Sequence, residues 1–347
     1  MAGYRLALWQ AVSVTACDKL WHIAVKLLNC VDVKGGFERG MSQHCPICGS
    51  LGTIQAHGRI APFILQLQGN PNDVPRDTTL CRCEPCDFVY FSHRFSDETL
   101  AAIYSGYRNE RYLSIRRRWE PWYSRAVNSA MRPGSEVVAE RIEFMTNIVV
   151  SNTAIDALRN IVDYGGDEGQ LFPLGYLGPK YVIDVSGKDL VDGVQAASSL
   201  EELPDKPHLV IASGVLEHLV DPAATVKEIR AAVADDGLFY AEVPLDRPKV
   251  RPWHARARYR FFLERVSAAR GSWIAADLVA GVARNFGRTV PRLGAVKQSE
   301  HINYFSTQSL EALLTGGGFR VVATRADPAA SFEGLRLGRL GALAVPA

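Results

Sequence analysis

The sequence has no run of 18 apolar residues, which excludes a helix that spans a membrane. It has little net charge: 39 Lys and Arg against 37 Asp and Glu leave +2, so the total supports no claim about a nucleic-acid or membrane partner. Internal repeats and low-complexity tracts are also missing, and the lack of repeats excludes a solenoid. A secretion leader is poorly imitated. Residues 6–16 are apolar but broken by Gln10 and soon followed by Asp18 and Lys19. The spacing of Leu6, Trp9, Val12, Leu20, Ile23, Leu27 and Leu28 fits an amphipathic helix better. A cytoplasmic protein is therefore expected, with residues 1–41 as an N-terminal extension, helical or poorly ordered. What is present is ordinary: 347 residues, 47 % hydrophobic and 22 % charged, enough for one large domain and a small one.

The seven cysteines are an odd number, and five of them lie within residues 45–86. They include two CxxC pairs, Cys45 with Cys48 and Cys83 with Cys86. Without a leader, spaced pairs read as thiolate metal ligands rather than disulfides. Two-residue spacing lets both sulfurs of a knuckle reach one ion, and two knuckles make a closed, structural four-cysteine zinc site. Pro46 and Gly49 supply the turn of the first knuckle, while Asp87 stands where glycine would be easier in the second. Cys81 is a spare thiol that could exchange with Cys83, and His44 and His93 read as bystanders. This lobe, residues 42–95, would fold around its ion because it cannot bury enough by itself.

Residues 96–135 read as a helical linker carrying Tyr104, Tyr107, Tyr112, Trp119 and Trp122 among Arg111 and Arg116 to Arg118. Residues 136–347 read as an α/β domain. In 160–173, NIVDYGGDEGQLFP, a short strand runs into Asp163, and Tyr164, Gly165, Gly166 and Gly169 form a turn ahead of a helix with free amide donors. A second strand, 181–187, carries Asp184 about 20 residues on, the place for a carboxylate that accepts ribose hydroxyls. A third, within 208–222, enters a loop with Ser213, Gly214, Val215, Leu216, Glu217 and His218. Strands alternating with helices imply a doubly wound, Rossmann-like parallel sheet with its site at the carboxyl ends.

DYGGDEG, VIDVS, GVLEHLVDP and the strand after Asp236-Gly237 resemble the class I S-adenosylmethionine-dependent methyltransferases over residues 160–325. With the cysteines, the chain is similar to a branch that carries an N-terminal zinc-binding lobe and includes sugar methyltransferases acting on nucleotide-linked deoxysugars. The resemblance implies that Gly165 and Gly169 line the methionine part of the cofactor while Asp163 holds the loop. It also implies that Asp184 takes the ribose, that Ser213 to Leu216 pass beneath the cofactor, and that Glu217 and His218 contact substrate or fix the mouth of the site. One departure is Asp167 in the middle glycine slot, which places Asp167 and Glu168 near the cofactor's carboxylate. That departure speaks for a rival reading, a non-catalytic binding protein on the same fold. In the resembling C-methyltransferases an EHxxxFS element supplies a histidine base and its supporting glutamate; SEHINYFS puts His301 and Glu300 there, the rival role for His301 being to tie the loop down. Those enzymes carry a tyrosine where Leu245 stands and a further C-terminal domain, so O-methylation is expected over C-methylation.

Residues 246–298 hold twelve Lys and Arg against three Asp and Glu, a local excess of nine positive charges, interleaved with aromatics. Two helices, near 254–270 and 272–286, are expected to stand over the strands' carboxyl ends as a basic lid. Such a lid favours an anionic small molecule, such as a nucleotide- or lipid-linked sugar or glycan intermediate. RNA and an anionic membrane surface are the alternative partners.

Overall fold

The computed structural model describes residues 44–69, 77–285, 294–332, 335, 336 and 338–347. The expected extension over 1–41 lies outside the described residues. Strand β1 (Thr53–Ile60) leads into the short helix α1 (Pro62–Leu67), and β2 (Asp77–Cys83) and β3 (Phe88–Phe91) follow. The linker folds as α2 (Asp97–Tyr104), α3 (Glu110–Trp119) and α4 (Arg125–Asn128). Ser96, Asn109 and Ser124 cap them, each side chain accepting a backbone N–H from the first turn. Next come α5 (Glu136–Val150), β4 (Ile161–Tyr164), β5 (Lys180–Ile183), β6 (Gln195–Ala196), β7 (Leu209–Ser213), α6 (Pro222–Ala232) and β8 (Leu238–Pro244). The basic segment forms α7 (Ala257–Ala268) and α8 (Arg270–Asn285), and the short strands β9 (Lys297–Gln298) and β10 (Asn303–Tyr304) follow. Helix α9 (Thr307–Gly316), β11 (Phe319–Asp327), a ribbon of β12 (Ser331–Phe332) and β13 (Leu335–Arg336), and β14 (Arg339–Pro346) complete the order.

The larger sheet has the order β11-β14-β8-β7-β4-β5-β6. Strands β4 to β8 are parallel, and β14 runs antiparallel between β8 and β11. Strands β7 and β8 are buried along their whole length, as apolar strands covered on both faces must be. On one face, Val226 and Ile229 of α6 and Leu310, Leu313 and Leu314 of α9 join the strands' core. On the other face lie Phe144, Met145, Ile148 and Val149 of α5.

The helix expected after the glycine turn does not form. Residues 170–179 run irregularly into β5, because Pro173, Gly175, Gly178 and Pro179 allow no helical turn there. Phe172 and Tyr176 from this stretch cover the face a helix would have covered. The lid helices have a support of their own. Tyr259 and Leu263 of α7 and Ala276 and Ala280 of α8 pack with Ala56, Leu80, Val89 and Phe91 of the lobe. The helices thus bury their apolar faces on the smaller sheet. That sheet, β10-β3-β2-β1-β9, takes its outer strands from the segment beyond the lid, so residues 297–304 belong structurally to the cysteine lobe.

Candidate active site

The order of the parallel sheet reverses beside β4, which lies between β5 and β7, and open sheets of this kind bind ligands at that point. The turn after β4 and the end of β5 meet there. Asp184 Oδ2 accepts the backbone N–H of Asp167 at 3.0 Å, and its Oδ1 accepts that of Ser186 at 2.6 Å. Gly165 has φ +73°, and a Cβ there would lie 2.6 Å from Val215 Cγ2, so the loops after β4 and β7 touch only because position 165 has no side chain. At Gly166 a Cβ would come 2.4 Å from the carboxyl carbon of Asp163. Burial pushes that Asp163 carboxyl up to about 8; Arg141 opposes the shift, and Asp184 and Asp167 reinforce it.

Asp167 has φ +54° and so adopts the left-handed backbone of the glycine it replaces, which aspartate tolerates better than most residues. Lys188 Nζ lies 2.7 Å from its Oδ2 and 3.7 Å from Glu168 Oε1, so one base holds both acids of the altered loop. From the β7 loop, the Ser213 side chain joins a buried polar network. Its hydroxyl accepts Arg141 Nη2 at 2.7 Å, while Arg141 Nε and Tyr240 OH donate to the two oxygens of Glu242, each at 2.7 Å. Leu216 is buried in the core. Gly214, with φ +77°, makes the turn between them.

At the mouth, Glu217, His218 and His301 come together. Their ligand atoms lie within 4.8 Å of one another, and the two imidazoles meet edge to face with centroids 4.8 Å apart. His301 Nδ1 donates to Asp246 Oδ2 at 2.7 Å, and His218 Nδ1 donates to the backbone carbonyl of Glu300 at 3.1 Å. The Glu300 carboxylate accepts from Tyr112 OH and from Arg116 Nη1, the latter at 2.8 Å, inside the linker's aromatic cluster. The carboxylate that orients His301 is Asp246, two residues past the end of β8 and missed in the sequence. The only sequence signal for it was its place next to Leu245, at the end of the fifth parallel strand.

Asn303 and Arg94, also unforeseen, fasten this segment. Asn303 Nδ2 donates to the carbonyls of Leu216 and Leu219 at 2.8 and 2.7 Å, and Arg94 Nη1 donates to Asn303 Oδ1 at 2.9 Å. Arg94 also donates to the carbonyls of Leu219 and Val220, and burial draws its pKa down to about 10.

The four expected thiols form a second constellation. Sγ of Cys45 lies 3.6 Å from that of Cys86, and Sγ of Cys48 lies 3.4 and 3.7 Å from those of Cys83 and Cys86. A tetrahedron with metal–sulfur bonds of about 2.3 Å has edges of about 3.8 Å, so the spacing fits one four-coordinate ion. Burial pushes the Cys45 thiol up to about 12 and raises Cys86 as well, whereas at Cys48 hydrogen bonds to Ser50 outweigh burial and draw the thiol down to about 6. Cys81 stands apart, its sulfur 3.7 Å from the Thr79 hydroxyl. Asp87 takes the left-handed turn with φ +54°, and Arg247 and Arg82 hold its carboxylate well below the usual range.

A family model described as a methyltransferase domain matches residues 115–324, more than half of the chain. The chain belongs to the methyltransferase-domain family. This methyltransferase is an enzyme that transfers methyl groups, built on the class I S-adenosylmethionine-dependent fold. Its solved likenesses are distant in sequence. The 1,6-didemethyltoxoflavin-N1-methyltransferase of Burkholderia thailandensis, with S-adenosylhomocysteine bound, is 13% identical over 78% of this chain and 96% of its own, with a TM-score of 0.42. Magnesium protoporphyrin IX methyltransferase of Synechocystis PCC 6803, with S-adenosylmethionine bound, is 15% identical over 73% and 98%, at 0.40. The mitomycin 7-O-methyltransferase MmcR is 17% identical over 62% of this chain, at 0.33, and the methyltransferase spans 55% of that protein's length. No curated protein matches this methyltransferase. Among the described residues no helix is long and apolar enough to cross a membrane.

Proposed function

We propose that this enzyme moves the methyl group of S-adenosylmethionine to an oxygen of an anionic small molecule, a nucleotide- or lipid-linked sugar or glycan intermediate. Cys45, Cys48, Cys83 and Cys86 would hold a structural zinc ion. The observation that carries the reading is the Asp246–His301 pair, set at the end of β8 beside the loop whose Val215 rests on the cofactor turn. Asp163, Gly165, Gly169 and Asp184 would bind the cofactor, with Gly165 admitting its methionine end and Asp184 accepting from its ribose. Exposed Val185, beside Asp184, offers an apolar surface for the adenine.

The cofactor supplies an activated methyl group, so the protein's part is to align the acceptor, exclude water and handle one proton. An imidazole with its Nδ1–H held by a carboxylate has Nε2 as the nitrogen that takes either a proton or a cation. Support for an anionic acceptor comes from exposed Lys249, Arg251, Arg256 and Arg258, which follow Asp246 closely in the chain. Other lid cations are spent elsewhere: Arg247 on Asp87, Arg260 on Asp77, and Lys297 on Glu120 and Asp277.

The test offers methyl-labelled S-adenosylmethionine with a panel of nucleotide sugars, glycolipid intermediates and RNA. Label is expected in a sugar oxygen, released as a methyl ether. Label in RNA, with steeply salt-dependent binding, would replace the acceptor class; label at carbon would overturn the oxygen assignment.

A further inference from the structure

Two histidines and a carboxylate converge at the mouth of the site. Glu217 is fully buried, His218 and His301 are part-buried, and one donor atom of each lies within 4.8 Å of the others. Such a set, with positions left open, is the donor pattern of divalent transition ions.

The surroundings of the rings add an independent observation. Imidazoles that ligate metals donate their other N–H to a carboxylate or a backbone carbonyl, which fixes the tautomer and presents the remaining nitrogen's lone pair. Both rings do this: His301 Nδ1 donates to Asp246 Oδ2 at 2.7 Å, and His218 Nδ1 donates to the Glu300 carbonyl at 3.1 Å. Nε2 of each is then the donor nitrogen. A lone general base needs one ring so oriented; here two are, with a buried carboxylate within 4.8 Å that favours a cation nearby.

We propose that Glu217, His218 and His301 bind a divalent transition-metal ion that in turn binds the acceptor oxygen. This rests on the methyltransferase reading of the same site, and it assigns His301 a metal-ligating role in place of a base. An acceptor hydroxyl on the ion is more acidic, and its O–H bond breaks with the proton passing to solvent water. The oxygen then forms a bond to the methyl carbon as the carbon–sulfur bond breaks, and the sulfur keeps the electron pair as a neutral thioether. Nothing is oxidised or reduced. A sugar's vicinal diol, with two oxygens for the two open positions, is the acceptor class this favours.

The experiment uses the full chain produced in cobalt-supplemented medium and titrated with further Co2+. Thiolate-bound cobalt shows intense sulfur-to-metal charge-transfer absorption, whereas nitrogen and oxygen ligation gives only weak visible bands. The wild-type protein is expected to show both signatures. Glu217→Gln, His218→Ala and His301→Ala should each keep the thiolate signature, proof that the lobe stays folded, and lose the weak bands. Asp246→Asn should weaken the second ion about 10–100-fold. A wild-type protein that shows the thiolate signature alone, or variants that keep the second signature, would overturn the proposal. S-adenosylhomocysteine titrated into the same samples separates the two readings. Its binding without a second ion sinks only the metal site, while its failure to bind sinks the cofactor reading whatever the metal content.

Discussion

Cys83→Ser is expected to strip the chain of its tightly held zinc and to unfold the cysteine lobe. The Cys83 sulfur is fully buried and sits 3.4 Å from that of Cys48, so no water can take its place as a fourth ligand without opening the lobe. Structural zinc in small domains carries about 10–16 kcal/mol of binding free energy that is also folding free energy, and losing a ligand forfeits a large part of it. The damage should spread. Strands β9 and β10 pair with β1 and β3, so residues 297–304 and His301 within them depend on the lobe's sheet. Hydrogen exchange should therefore accelerate across β1–β3 and across 297–304 together. Cys81→Ser is the control, since Cys81 is equally buried yet lies outside the thiol group, and it should keep its zinc. Unchanged zinc content in Cys83→Ser would refute the ligand set.

The second large effect lies in the big sheet. Arg141 and Glu242 are 2% and 0% exposed, and Arg141 is the cation that Glu242 meets. Arg141→Met leaves that carboxylate buried with Tyr240 as its hydrogen-bond donor, and a destabilisation of about 3–5 kcal/mol is expected. Adding Glu242→Leu and Tyr240→Phe should recover much of it, because the loss comes from an unpaired charge rather than from missing volume. Denaturant unfolding followed by circular dichroism measures both. A single variant as stable as the parent would contradict the account of this network.

How far the sequence alone reached depended on the range of each interaction. The cysteine pairs and the glycine turn were legible because the chemistry lies in fixed, short spacings. The position of Asp184 beside the turn was legible because parallel strands joined by a short crossover set its distance from the turn. The left-handed Asp167 and its neutralisation by Lys188 were half legible: the conformation follows from aspartate's tolerance, the partner does not. Asp246 was missed because the ring it orients lies beyond the whole helical insertion, at His301. The partners of Glu300 were out of sight for the same reason, since adjacency to His301 in the chain says nothing about Arg116 across the linker. Strands of two residues, such as β9 and β10, carry no period-two pattern, so nothing foretold that the lid's exit would rejoin the lobe. The absent helix after the turn was readable in principle from Pro173, Gly175 and Pro179, and the expectation from the usual alternation of strand and helix overrode it.

On the proposed reading the glycine turn and Asp184 together hold the cofactor, and one titration tests that most directly. Calorimetry of S-adenosylhomocysteine into the wild-type chain and into Asp184→Ala should show one saturable site in the first. In the second, affinity should fall by about 1.5–3 kcal/mol per charge-assisted hydrogen bond lost. Equal affinity in the two proteins, or no binding to the wild type, would contradict it.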